Sequence, residues 1–134
     1  MKKISTEPTT ENINRILALL GETPAQLEAL SRSLSAEQQR EPLSEGEWSF
    51  VEHLAHLLSR EDISSQSIYY ALLVGNPVLP DIHPQQQWAP LVRYAHFPVQ
   101  ELLRYFSFRR ETLLRVLADL TDAEWERAVS RAIK

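Results

Sequence analysis

The sequence predicts an all-α protein, an antiparallel helical bundle of three long helices joined by short crossing helices. Three observations carry that reading. Only three glycines interrupt 134 residues, and Leu, Ala, Glu, Gln and Arg, all good helix formers, are abundant in the rest. Apolar residues recur at three- and four-residue spacing along three long stretches. Two helical segments open with a Ser/Thr-x-x-Glu signature, in which side chain and backbone satisfy each other's free amides. At this length residues 1–134 form one domain, large enough to bury a core without covalent staples.

Taken in order, residues 1–8 are polar and read as a frayed end. From about Thr10 the stripe Ile13, Ile16, Leu17 and Leu20 starts the first helix and continues through Leu27, Leu30 and Leu34. Gly21-Glu22-Thr23-Pro24 interrupts it; proline lacks an amide hydrogen, so one kinked helix is expected rather than two. Ser35-Ala36-Glu37-Gln38 caps a single short turn, and Pro42 to Gly46 is a loop. Ser49-Phe50-Val51-Glu52 is a capping box, and the helix it opens carries Phe50, Leu54, Leu57, Leu58, Ile68, Leu72 and Leu73 to about Val74. Gly75-Asn76-Pro77 ends it. The proline-rich crossing that follows contains Trp88, Leu91 and Tyr94 at helical spacing, which predicts a short helix from about Pro84 to Ala95, bent at Pro90. Pro98 starts the third long helix, with Leu102, Leu103, Phe106, Leu113, Val116, Leu117 and Leu120 on one face. Thr121-Asp122-Ala123-Glu124 is the second capping box and opens a short helix bearing Trp125. The chain then reaches Lys134 with no further apolar helix, so the fourth side of the bundle is expected to be missing or supplied by a partner.

Composition narrows the function. Without cysteine there is no disulfide, thiol nucleophile or cysteine-based zinc site, and a reducing cytoplasm is the expected setting. A net charge of −4 with scattered basic residues gives no footprint for nucleic acid. No signal peptide or membrane-spanning run is visible, so no membrane partner is expected.

The concentrated chemistry lies in Trp48 to Glu61. His53 and His56 are three residues apart, so they share a helical face and could meet one ion. They make a partial site at most, with Glu52 as a further donor, because a catalytic zinc needs about three protein ligands. His83 and His96 in the crossing could add a ligand, but nothing in their spacing requires it. Arg109 and Arg110 flank the apolar stripe of the third long helix. They read as an anion clamp for a substrate, or, with more support, as partners of Glu61 or another acid on the second long helix. Trp48, Trp88 and Trp125 stand at helix edges; Trp88 could line a ligand site, although tryptophans there commonly plug thin layers of a core.

Trp48-Ser49, His56-Leu57 and Glu61, then Asn76-Pro77-Val78-Leu79-Pro80, Trp88-Ala89, Tyr94, Arg109-Arg110-Glu111-Thr112-Leu113, Leu120 and Trp125 together resemble the DinB-like superfamily of four-helix bundles. The resemblance runs from roughly Leu17 to Arg131. It implies a divalent metal, nickel or zinc, held by three histidines, the first falling on His56. It also implies hydrolase or thiol-dependent transferase chemistry. The other two histidines would come from a His-x-x-x-His pair on a helix following Val129 to Lys134, before which this chain stops. Ser59 also stands where the family often has Asp. The ligand set is therefore expected to be incomplete.

Two functional expectations follow from these residues. One is a helical module with an incomplete metal site that associates as a homodimer or binds another chain through its open apolar face. The alternative is a metal-dependent enzyme using an ion held partly by His56.

Overall fold

The protein is described by a computed structural model covering residues 7–126 and the backbone of Ser130 and Arg131. The first six residues, and part of the segment after Trp125 on which the expected end of the bundle falls, lie outside the described residues.

Helix α1 spans Thr10–Arg32, and the Thr9 side chain caps it by accepting the Asn12 amide hydrogen. Pro24 sits inside this single helix, as the stripe on both sides of it requires. Its missing amide leaves the carbonyl of Leu20, one turn earlier, without the usual helical donor. Arg110 takes that place, its Nη1 donating to the Leu20 oxygen at 2.8 Å. A 3₁₀ turn at Gln38–Arg40 follows, where the Ser35 amide donates to Gln38 Oε1 and the Gln38 amide donates to Ser35 Oγ.

Helix α2 spans Phe50–Val74, and its capping box is complete: the Ser49 amide donates to Glu52 Oε1 at 3.1 Å, and the Glu52 amide donates to Ser49 Oγ at 3.2 Å. Gly75 ends the helix at φ 73°, a left-handed conformation that a side chain disfavours. The crossing departs from the predicted single helix. A π-helical turn at Pro84–Trp88 runs into α3, Ala89–Val92; Arg93 then turns left-handed, and a 3₁₀ turn covers Tyr94–His96. The break thus falls at Arg93, not at Pro90, which occupies the first turn of α3, where a proline costs no hydrogen bond. The change of helical pitch also rotates Leu91 out of the expected stripe, leaving it 76% exposed.

Helix α4 spans Val99–Ala118, and α5, Asp122–Trp125, opens with the second capping box, Thr121 with Glu124. Helix α4 packs against both α1 and α2, and the crossing lies on α2. The core joins Leu27 of α1, Phe50, Val51, Leu54 and Leu58 of α2, and Val99, Leu102, Leu103 and Phe106 of α4. Strand pairing among the described residues is confined to a two-residue parallel contact, β1 Val78–Leu79 with β2 Ser130–Arg131, and an isolated antiparallel bridge between Pro42 and Ser49. No helix among the described residues is long and apolar enough to cross a membrane.

Candidate functional site

The polar centre of the fold is a charged seam between α2 and α4. Glu61 and Asp62 are consecutive on α2; Arg109 and Arg110 are consecutive on α4. Arg110 pairs with Glu61 through two bonds of 2.9 Å, from Nε to Oε2 and from Nη2 to Oε1, and its guanidinium lies 4.8 Å from the Phe106 ring centroid. Both partners are buried, so the two-pronged geometry and the third bond to Leu20 are what make the pair tolerable there.

Asp62 is only 3% exposed and gathers donors from three directions. Trp88 Nε1 donates to Oδ2 at 3.0 Å, the Tyr94 hydroxyl donates to the same oxygen, and Arg109 Nη1 donates to Oδ1 at 2.5 Å. Arg109 also donates from Nη2 to Ser65 Oγ at 2.6 Å and from Nη1 to the Tyr105 hydroxyl at 2.7 Å. Burial, then the hydrogen bond to the Asp62 carboxylate, pushes the Tyr94 hydroxyl far above the usual tyrosine range. Burial alone would lower the Arg109 guanidinium, but its bond to Tyr105 and the charge of Asp62 outweigh that and raise it. No buried side-chain polar atom among the described residues lacks a partner. The arginines proposed as an anion clamp thus have their guanidinium groups engaged by acids of the chain, and Trp88 spends its indole N–H on Asp62.

One turn before the seam, His56 Nδ1 donates to Gln85 Oε1 at 3.0 Å, which leaves Nε2 as the basic nitrogen. The Trp48 ring lies 5.2 Å from the His53 ring and 5.3 Å from the His56 ring, so one indole brings the two histidines together. His83 is spent on the crossing, where its Nδ1 accepts the amides of Gln85 and Gln86. His96 lines a cavity of about 430 Å³ between α2 and the crossing, together with Glu52, Ser59 and Arg93. Among the described residues no group of three or more His, Asp or Glu side chains converges as a metal-holding set. These residues therefore do not fit the three-ligand centre that the family resemblance implies.

Asp62, Ser65 and Tyr105 are the members of this constellation that sequence reasoning did not name, and Asp62 is central among them. A signal was present: Leu54, Leu58 and Asp62 succeed one another at four-residue intervals, which places a carboxylate on the buried stripe.

The chain is thus a helical bundle with a polar seam between its second and third long helices and an irregular crossing packed on the second. The DinB superfamily profile matches residues 19–133, and the chain belongs to that superfamily. Among solved structures it is similar to YfiT from Bacillus subtilis, described as a probable metal-dependent hydrolase with an unusual four-helix bundle topology. The identity is 19% and the TM-score 0.82, over 96% of this chain and 73% of that one, a likeness of fold. A search of curated protein sequences finds no match.

Proposed function

We propose that this DinB-superfamily chain is a self-associating helical module with an incomplete metal position, in which the groove between α1 and α2 is covered by a second copy. The observation that carries the reading is that groove. It encloses about 430 Å³ and is lined by Ile16 and Leu20 of α1, Ile68 and Leu72 of α2, Leu117 of α4 and Trp125 of α5. Beyond the groove, Leu19 of α1 and Leu73 and Val74 of α2 are exposed, Leu73 at 82%. Apolar surface on two neighbouring helices normally marks an interface. YfiT is described as a four-helix bundle, whereas the described residues here supply three long helices, which supports an occupant made of helix. A second copy offers the same apolar edges, so a two-fold contact would bury both at once.

Sedimentation equilibrium across a concentration series tests this. A dimer is expected, and Ile68→Glu or Leu73→Glu is expected to shift it to monomer with the helical circular dichroism signal retained. A monomer at the highest soluble concentration overturns the proposal.

The alternative, a metal-dependent hydrolase or transferase, draws on two things. One is the description of YfiT. The other is the His56 tautomer, because a histidine that donates from one ring nitrogen to a carbonyl oxygen has its other nitrogen oriented for a metal. Nickel or zinc would then be held partly by His56, with ligands beyond the described set. Metal analysis after loading decides: stoichiometric uptake abolished by His56→Ala favours the enzyme, and no uptake removes it.

A further inference from the structure

The cavity between α2 and the crossing shares no lining residue with the α1/α2 groove, and its use is independent of self-association. Part of its polar lining is already engaged. The Ser59 hydroxyl donates to the Ala55 carbonyl at 3.0 Å, the Tyr94 hydroxyl donates to Asp62, and Gln85 Oε1 accepts from His56.

Four groups retain capacity, all on solvent-exposed side chains: the Gln85 amide nitrogen, which has no acceptor among the described residues, and three others. Arg93 donates from Nε to the Pro90 carbonyl at 3.2 Å, and its two terminal nitrogens have no acceptor among the described residues. The ring of His96 has no hydrogen-bond partner among the described residues. Glu52 uses Oε1 to accept the Ser49 amide, and Oε2 remains. Arg93 and His96 come from the crossing and Glu52 from α2, so donors for an anion stand on one wall and an acceptor for a cation on the other.

The backbone of Arg93 adds a second, separate sign. It lies at φ 54° and ψ 46°, closing α3 in the left-handed conformation usually given to glycine or asparagine. A bulky residue held there against its preference is the kind of local strain found at binding sites. Here it brings a guanidinium to the cavity wall.

We propose that this cavity binds a small organic zwitterion: its carboxylate is held by Arg93 and His96, its ammonium by Glu52, and its short aliphatic body lies along Ala55, Ala89 and Pro90. The volume of about 430 Å³ suits such a molecule.

The test titrates δ-aminovalerate, valerate and pentylamine into isotope-labelled protein and follows the backbone amides by NMR. Shifts are expected at Ala55, Ala89 and Ala95, with δ-aminovalerate binding tightest. Arg93→Gly keeps the turn, so its Tm should be equal or higher. It should weaken δ-aminovalerate and valerate about tenfold, the scale of a lost charged hydrogen bond, and leave pentylamine unchanged. Glu52→Gln retains the capping geometry and should weaken δ-aminovalerate but not valerate. The proposal is overturned if no probe shifts the cavity amides, or if Arg93→Gly binds δ-aminovalerate as well as the parent does.

Discussion

At the scale of single residues, the two acids of the seam differ in how they are held, and they should respond differently to change. Glu61 and Arg110 are a buried pair. Glu61→Leu strands a charge and should cost about 3–5 kcal/mol, whereas Glu61→Leu with Arg110→Met should recover most of it, because removing both ends of a buried pair is often neutral. Urea unfolding of the two single variants and the double variant measures both. Tyr94 gives the seam a pH signature. Its hydroxyl is raised in the folded state above the ordinary 10.0, so the folded chain holds that proton more tightly than the unfolded chain does. The resulting stability is fully present below the unfolded value and is lost as pH rises above it toward the folded one. Tm should therefore fall more steeply above pH 10 in the parent than in Tyr94→Phe. The sequence pointed to the arginines and to Glu61, since charges beside an apolar stripe must find partners. It did not point to Tyr94 or Trp88 as donors to Asp62, because both read as apolar residues of a helical stripe and their hydrogen bonds span 32 and 26 residues.

At the scale of elements, local chemistry set the boundaries that were legible. Ser49 with Glu52 and Thr121 with Glu124 form the reciprocal bonds their spacing predicts, and Gly75 stops α2 where a left-handed residue is needed. Ser49→Ala should cost about 1 kcal/mol and Ser49→Thr, which keeps a hydroxyl at this buried position, should restore most of it, read by thermal denaturation. The crossing was less legible. Its apolar spacing assumed a constant α-helical pitch, but Pro84, the Asp62 tether and the left-handed Arg93 produce π, α and 3₁₀ turns in succession. Asp62→Asn should therefore loosen the crossing before the bundle. Amide hydrogen exchange should rise first across 84–96, while the amides of α4 stay protected.

At the scale of the whole molecule, the two adjacent acids answer two adjacent arginines and so fix how α2 and α4 sit against each other. A slip of either helix would break both pairs and leave buried charges, which is costly enough to exclude neighbouring registers. The apolar stripes alone made the bundle legible but could not select this register, since leucine packs on leucine in several. If the α1/α2 groove is covered by a second copy, folding and association are linked, and Tm should rise with protein concentration in the parent but not in Leu73→Glu. Differential scanning calorimetry over a dilution series reads this directly.

Pro24 invites the wrong repair. Replacing a mid-helix proline with alanine is a standard route to a sturdier protein, with about 3 kcal/mol at stake on propensity alone. Here the carbonyl that such a repair would reclaim already serves Arg110. Alanine at position 24 would bring a rival donor to an occupied oxygen, so the gain should fall well short, and should recover when Arg110→Met and Glu61→Leu are introduced together. An apparent flaw in α1 is thus a socket for α4, and positions 24, 61 and 110 are best altered as a set.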